Sequence, residues 1–251
     1  GTGVLWGLHD TGHHGPWETR DEEALAQGVK GNRVHLDGGN SETDRGMIHH
    51  RDEGIGRLMD LLRAEGLERD TLVVFTSDNG GERFSDNWPL VGGKMDLTEG
   101  GIRVPWIAHW PAVIAPGSTS TQTCMTMDWS ATMLDAAGAP AAASHPLDGR
   151  SLMPLLHDAT WRDDQPLFWR MNHRGQRAMR HGPWKYLRVD GHDYLFNLEG
   201  DERERANLAP IAPERLAAMV QAWEAWEATM PPIPADATVS LGYGVKDMPQ
   251  R

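Results

Sequence analysis

The sequence predicts an α/β domain followed by a small antiparallel sheet that is packed by a helix. The α/β domain is indicated by residues 72–75, a continuous apolar run of Leu, Val, Val and Phe. Such a run is typical of a strand buried on both faces of a parallel sheet. A helical pattern over residues 44–65 precedes it, and helix and strand together form an α/β unit.

The antiparallel sheet is predicted from three strand-like segments, 166–171, 177–189 and 194–198, separated by short polar or glycine turns. An amphipathic helical pattern over residues 213–229 follows them. Tryptophans on this pattern, Trp223 and Trp226, are expected to pack in the core. The C-terminal part of the chain is therefore expected to form a meander covered by one helix.

Composition excludes several classes of function. The net charge is −12, from 24 basic and 36 acidic residues, which disfavours nucleic acid or another diffusely bound polyanion as a partner. An anionic substrate must therefore be captured by a local positive site. Cys124 is the only cysteine, so an intrachain disulfide is excluded. No apolar stretch approaches the ~20 residues of a membrane-spanning helix.

The helix over residues 44–65 is supported by a stripe of apolar residues at helical spacing. The members of the stripe are Ile48, Ile55, Leu58, Met59 and Leu62. Gly66 follows, and glycine suits the left-handed conformation that ends a helix. We interpret the polar residues of this helix as a solvated face rather than a site; they include His49, His50, Asp52 and Glu53.

Candidate ligands stand where the strand at residues 72–75 ends. Asp78 and Asn79 come just after it, at the sheet edge where α/β proteins bind ligands, and their oxygens suit a hard cation. Lys94 follows a glycine pair further along the chain. An isolated D-N-G sequence would be interpreted as a turn, since Asx residues and glycine dominate turns. The neighbouring glycine-rich segments instead favour a site for an anionic group.

Three motifs in this order resemble the second half of the sulfatase family, in the alkaline phosphatase superfamily. They are S-D-N-G-G at 77–81, G-G-K at 92–94 and E-G-G-I-R-V-P at 99–105. The resemblance implies that residues 1–160 are the C-terminal part of a catalytic α/β sandwich with a mostly parallel sheet. Residues 161–251 would then be a small antiparallel-sheet subdomain with a helix and a tail. The implied activity is hydrolysis of an aryl or carbohydrate sulfate ester.

The resemblance also implies roles for individual residues. Asp78 and Asn79 would bind a divalent cation, usually Ca²⁺, and Lys94 would pair with a sulfate oxygen. His14 of the sequence His14-Gly15-Pro16 would contact the sulfate and serve the leaving oxygen. His13 is a near rival for this role and His9 a distant one. The alternatives for the cluster are a histidine-rich surface loop or, less in keeping with the family's oxygen ligands, a metal site of its own.

The nucleophile of the family, a formylglycine made from Cys or Ser in a C/S-x-P-x-R motif, has no counterpart here. Cys124 is followed by Met-Thr-Met, and Ser144-His145-Pro146 lacks the Arg. The chain starts without Met and runs at once into a strand-like segment at 4–8, so we expect an upstream portion or a second chain to supply the missing half. The isolated chain is expected to be inactive. The resemblance implies a periplasmic or secreted location.

Two further family segments occur later in the chain. Asp128 and Thr132 match D-x-x-x-T-x-L-x-x-x-G, and residues 147–152 match another segment. We interpret Asp128 and Thr132 as structural, in caps or at the sheet edge.

Two other functions are compatible with these motifs. A phosphodiesterase or phosphonate monoester hydrolase of the same superfamily would carry D-H-G where this chain has D-N-G, which favours sulfate. A calcium-stabilised carbohydrate-binding module fits the missing nucleophile, whereas the joint presence of Asp78, Asn79, Lys94 and His14 argues against it.

Overall fold

A computed structural model of the chain describes residues 40–82 and 84–237. The predicted strand at 4–8 and the histidines at 9, 13 and 14 lie outside these residues. The described part divides into two compact units. One contains residues 47–76 and 106–163, and the other contains 40–46, 77–82, 84–105 and 164–237.

Helix α1 spans Ser41–Ala64, close to the predicted range. Asn40 caps its first turn, because the side-chain oxygen accepts hydrogen bonds from the N–H groups of Glu42 and Thr43 at 2.9 and 2.8 Å. Gly66 has a φ of 67°, as the predicted helix stop requires. His49 is 70% exposed and lies 3.5 Å from Glu53, in agreement with a solvated face.

Strand β1 spans Val73–Thr76, helix α2 spans Glu99–Ile102, and strand β2 spans Trp106–His109. β1 and β2 pair antiparallel, with Phe75 opposite Ile107. Both side chains are exposed, at 38% and 60%, so β1 is not buried on both faces as the apolar run predicted. A one-turn 3₁₀ helix, Glu68–Asp70, precedes β1.

The predicted mostly parallel sheet is not found among the described residues, where both sheets are antiparallel. A parallel crossover requires a dozen or more residues, usually in a helix. In the described residues of the connection between β1 and β2, 77–82 and 84–105, the only helix is instead α2, a single helical turn of 4 residues. The remaining residues of this connection form glycine-rich loops, so they provide no crossover helix.

The core of the first unit forms around two short helices, α3 at Asp128–Ala136 and α4 at Met153–His157. Trp129 and three buried leucines form its centre, and side chains of β1 and β2 pack against them. The leucines are Leu152, Leu155 and Leu156. The Trp106 and Trp129 rings stack with 5.1 Å between their centroids.

The second sheet is the predicted antiparallel meander, with four strands rather than three segments. Its strands are β3 Leu167–Met171, β4 Gln176–His181, β5 Trp184–Val189 and β6 His192–Asn197. The predicted segment 177–189 is two strands, because Gly182 has a φ of 55° and makes a tight turn within it. A 3₁₀ turn, His173–Gly175, joins β3 to β4.

Helix α5, Pro213–Glu227, packs on one face of this sheet, as predicted. Its buried residues Met219 and Trp223 contact Met179, Tyr186 and Leu195. Residues that alternate with these along the strands point to the other face. There Ala178, Leu187 and Phe196 pack against Leu97 and Ile102, so this face positions the segment that contains α2. Among the described residues, each helix is too short or too polar to span a lipid bilayer.

Candidate active site

The first and third sequence motifs touch through glycine backbone. The N–H of Gly80 donates a hydrogen bond of 2.8 Å to the carbonyl oxygen of Gly101. A Cβ atom at Gly80 would overlap the carbonyl oxygen of Gly100. Only glycine at position 80 permits this approach, which fixes the chain directly after Asp78 and Asn79 against α2.

The second motif joins the same cluster of backbone contacts. The N–H of Lys94 donates to the carbonyl oxygen of Gly81 at 3.1 Å, and the N–H of Gly100 donates to Val91 at 2.8 Å. A Cβ atom at Gly93 would lie 2.6 Å from the carbonyl oxygen of Gly81. All three motifs therefore meet in one glycine-rich cluster, although the sequence separates them.

Asn87 closes the loop between the first two motifs. Its side-chain oxygen accepts a hydrogen bond from the N–H of Gly81 at 3.0 Å. Its side-chain amide donates to the carbonyl oxygens of Gly81 and Gly92, both at 3.1 Å. One side chain thus holds both ends of the loop.

The amine of Lys94 forms an ion pair with Glu82, with 2.9 Å between Nζ and Oε2. The two side chains are 23% and 12% exposed, so solvent screens the pair only in part. Sequence reasoning did not identify Glu82, although its position next to a glycine pair in the motif could have pointed to it. The contact gives the lysine a fixed direction and places a carboxylate beside its charge.

Asp78 and Asn79 stand at the end of β1, with Asp78 exposed and Asn79 half-buried. Their side-chain oxygens are of the type that Ca²⁺ binds, but Ca²⁺ takes six to eight oxygen ligands. No group of three or more His, Cys, Asp or Glu that could hold a metal is found among residues 40–82 and 84–237. Asp78 and Asn79 therefore fit a cation site by donor type, as two members of a larger ligand set.

The residues after Lys94 are held by Gln176, which is 2% exposed. Its amide donates to the carbonyl oxygen of Met95 and its oxygen accepts from the N–H of Leu97, both at 2.8 Å. Met95 has a φ of 74°, a left-handed conformation that a non-glycine residue keeps only when its surroundings impose it. Gln176 supplies that constraint from the first residue of β4.

A buried cluster of charges fixes α2 to the sheet. The amine of Lys185 lies 2.9 Å from Glu99 and 2.8 Å from Glu204, and all three side chains are at most 1% exposed. Glu204 also accepts a hydrogen bond of 2.6 Å from the N–H of Glu99, and Arg180 lies 3.5 Å from the second oxygen of Glu99. Two acidic and two basic groups therefore balance, as burial of charge requires.

Burial dominates the ionisation of two members of this cluster. It raises the pKa of Glu204, which Lys185 lowers to a smaller degree. It lowers the pKa of Arg180, against the attraction of Glu99. Sequence reasoning missed the cluster; its signal was Lys185, a charged residue within the otherwise apolar strand Trp-Lys-Tyr-Leu.

The structural role predicted for Asp128 and Thr132 is found in the first unit. The Asp128 carboxylate accepts hydrogen bonds from the N–H groups of Met125 and Arg150 at 2.7 and 3.1 Å. The Thr132 hydroxyl donates to the carbonyl oxygen of Asp128 at 2.7 Å and accepts from the N–H of Leu152 at 2.8 Å. Both residues thus join α3 to the segment around residues 150–152.

A cavity of about 750 Å³ lies beside α5, lined by residues that include Met179, Ile211 and Arg215. Of the predicted site residues that the structure describes, Asp78, Asn79 and Lys94, none lines it. His14, His13 and His9 lie outside the described residues, so the role of His14 stays a prediction.

Comparison with protein-family models matches residues 8–139 to the family described as Sulfatase. The chain belongs to the sulfatase family. A second model, described as N-sulphoglucosamine sulphohydrolase, C-terminal, matches residues 93–212 of the chain. The resemblance inferred from the three motifs is confirmed.

Curated relatives include the steryl-sulfatase of Homo sapiens, 31% identical over 234 residues, with 74% of this chain and 40% of that protein covered. The N-acetylgalactosamine-6-sulfatase of Mus musculus is 36% identical over 138 residues, covering 53% of this chain and 26% of that protein. The chain thus spans less than half the length of these relatives.

Among solved structures, the protein named Ps i-CgsB superposes with a TM-score of 0.74 at 30% identity, over 85% of this chain and 47% of that chain. The phosphonate monoester hydrolase of Agrobacterium radiobacter superposes with a TM-score of 0.53 at 23% identity, over 80% of this chain and 44% of that chain. At that identity the second match reflects the fold alone.

Proposed function

We propose that this chain supplies the cation-binding and sulfate-binding half of a sulfuric ester hydrolase. The observation that carries the proposal is the glycine cluster, in which Gly81 bonds directly to the backbone of Lys94. Gly81 is two residues from Asn79, so the lysine and the two oxygen ligands belong to segments joined by backbone hydrogen bonds. A cation and an amine held together suit the oxygens of a sulfate ester.

Lys94 binds a sulfuryl oxygen in this proposal, because an ammonium on a flexible stem suits a tetrahedral oxyanion. Asp78 and Asn79 provide two of the oxygen ligands of the cation. When bound, Ca²⁺ would supply positive charge at the sulfate and orient the nucleophile. His14 holds or donates a proton at the leaving oxygen, since its ordinary pKa lies near neutral pH.

The formylglycine nucleophile must come from residues outside this sequence, which has no C/S-x-P-x-R motif. The partner in this proposal is the other half of the same fold, and the 251-residue chain alone does not turn over sulfate esters. The substrate is an aryl or carbohydrate sulfate. Among the similar proteins, Ps i-CgsB has been crystallised in complex with a neocarrahexaose, and two others are a steryl-sulfatase and an N-acetylgalactosamine-6-sulfatase.

The test uses a polypeptide that joins this chain to a segment carrying the C/S-x-P-x-R motif, assayed on 4-nitrophenyl sulfate and on a sugar sulfate. Lys94→Ala should raise KM and lower kcat/KM, and Asp78→Ala should do more harm because it removes a metal ligand. His14→Ala should slow mainly the sugar sulfate, whose leaving group needs protonation.

Arg103→Ala is the matched control, because it removes an exposed positive charge (51% exposed) from the same unit. It should leave both substrates unaffected. Hydrolysis of 4-nitrophenyl phenylphosphonate in preference to 4-nitrophenyl sulfate would contradict the proposal in favour of the phosphonate hydrolase. Calcium binding without any hydrolysis would favour a binding module.

A further inference from the structure

An exposed tryptophan lies on the loop that Asn87 closes. Trp88 is 58% exposed and follows Asn87 directly. Because the Asn87 side chain bonds to both Gly81 and Gly92, the backbone that carries the indole is fixed to both ends of this loop. The same loop ends at the glycine pair that precedes Lys94, so Trp88 belongs to the hydrogen-bonded loop next to the candidate sulfate ligand.

A guanidinium stacks on this indole. The Arg203 guanidinium carbon lies 4.0 Å from the centroid of the Trp88 ring. The attraction between a cation and an aromatic face holds such a pair together, and a guanidinium is the cation best shaped for it. Trp88 keeps more than half of its surface exposed, so the pair presents an aromatic surface and a positive charge side by side.

The charge of Arg203 is not neutralised by the acidic turn that surrounds it. Asp201 accepts hydrogen bonds from the N–H groups of Arg205 and Ala206. Glu202 pairs with Arg103, and Glu204 pairs with Lys185. Within residues 40–82 and 84–237, Arg203 has no hydrogen bond or ion pair of its own, and its buried Nε lacks a hydrogen-bond partner.

This arrangement is a local positive site in a chain whose net charge is −12. Stacking on an indole face suits the C–H surface of a sugar ring, and the guanidinium fork suits a carboxylate or sulfate in a bidentate geometry. A ligand that uses both features carries an anionic group on a ring. A steroid or a simple aryl group would use only the indole.

We propose that Trp88 and Arg203 form a subsite for an anionic sugar ring adjoining the one whose sulfate Lys94 binds. The inference rests on the proposed function and names its substrate class. The substrate is an oligosaccharide with at least two anionic groups, one hydrolysed and one recognised by Arg203.

The chain offers a matched control in a second pair of the same kind. Arg215 lies 4.4 Å above the Trp184 ring, but Trp184 is half-buried against the core cluster of Met179, Tyr186 and Leu195. Its ring is therefore less exposed than that of Trp88. Arg215→Gln therefore removes an equivalent stacked cation without touching the proposed subsite.

The experiment is calorimetric titration of the 251-residue chain with three probes. They are a chondroitin 6-sulfate tetrasaccharide, the neutral tetrasaccharide of N-acetylglucosamine, and 4-nitrophenyl sulfate. We expect the sulfated tetrasaccharide to bind most tightly. Trp88→Ala and Arg203→Gln should each weaken it about tenfold, as the loss of one stacking or charge contact predicts. Affinity for 4-nitrophenyl sulfate, whose single anionic group is bound by Lys94 in this proposal, should not change in Arg203→Gln, and Arg215→Gln should bind all probes as wild type does.

The subsite is refuted if wild type does not prefer the sulfated tetrasaccharide, or if Arg203→Gln binds it as well as wild type does. It is also refuted if Arg215→Gln causes an equal loss. Thermal unfolding of each variant checks that it is folded, and if Trp88→Ala does not fold, the partly exposed Arg203→Gln decides the outcome. If the joined polypeptide released no sulfate, the proposed function would be refuted. The subsite would still be decided by the calorimetric titrations alone.

Discussion

The amine of Lys185 lies 2.9 Å from the carboxylate of Glu99, although 86 residues separate the two and both side chains are buried. We predict that Lys185→Met lowers the free energy of unfolding by about 3–5 kcal/mol, because it leaves two buried carboxylates without their main counter-charge. Urea unfolding followed by circular dichroism measures this loss.

Arg103→Met is the control for this prediction, since its pair with Glu202 is 3.5 Å long and about half exposed on both sides. It should cost less than about 1 kcal/mol. The double variant Lys185→Met with Glu204→Gln should recover part of the loss, because one uncompensated charge is removed. Equal costs for Lys185→Met and Arg103→Met would contradict the buried cluster.

Gly80→Ala should destabilise the protein, since its Cβ would overlap the carbonyl oxygen of Gly100. We expect a cost of at least about 2 kcal/mol, in the range of other steric insertions into packed structure. Gly54→Ala is the matched control, because Gly54 is on helix α1 with nothing within 4 Å of the added methyl. It should raise the free energy of unfolding by about 0.5–1 kcal/mol. In urea unfolding, we expect the two variants to change the free energy of unfolding in opposite directions. Changes in the same direction would count against the glycine cluster.

Glu82→Gln should lower KM for a sulfate ester about tenfold in the joined polypeptide, with kcat little changed. A carboxylate 2.9 Å from the Lys94 amine would stand roughly 5 Å from a sulfate bound to that amine. At an effective dielectric constant of about 20, two such charges repel by about 3 kcal/mol before screening. The amide keeps the hydrogen bond and removes the repulsion. Glu82→Ala also removes the hydrogen bond, so it should lower KM less than Glu82→Gln does. If both variants instead raise KM equally, the negative charge of Glu82 is needed for binding and the prediction is wrong.

Cys124 should react very slowly with iodoacetamide in the folded protein at pH 8. Burial, and then the charge of Asp128, raise its pKa to about 11. An ordinary thiol near 8.5 is roughly 200 times more ionised at that pH, and only the thiolate reacts. Mass spectrometry of alkylated protein with and without urea measures the ratio. Similar rates in the two conditions would show that the thiol is accessible and ionised in the folded state.

The C-terminal sheet and helix were predictable because their signal is local. Alternating strand patterns, the glycine turns and the tryptophan spacing of α5 each depend on neighbours in sequence. The number of strands was harder to predict, since the turn at Gly182 is short and lies within one continuous strand-like segment, residues 177–189.

The pairing of β1 was not predictable from its composition. An apolar run indicates that a strand contributes to a core. Whether the neighbouring strand runs parallel or antiparallel depends on the connection between the two strands, whose path is set by contacts distant in sequence. The candidate site divides in the same way. Asp78, Asn79 and Lys94 stand in recognisable motifs, whereas Glu82 and Gln176 act through contacts that only the folded chain creates.

The contacts that hold the residues just after Lys94 affect the order in which parts of the chain fold during synthesis. Gln176 contacts Leu97 across 79 residues, and Glu204 contacts Glu99 across 105. During synthesis the loop therefore leaves the ribosome well before the residues that fix it, and contacts of such long sequence separation form late. A nascent chain stopped before β4 would carry all three motifs and yet lack the means to hold Met95 in its left-handed conformation.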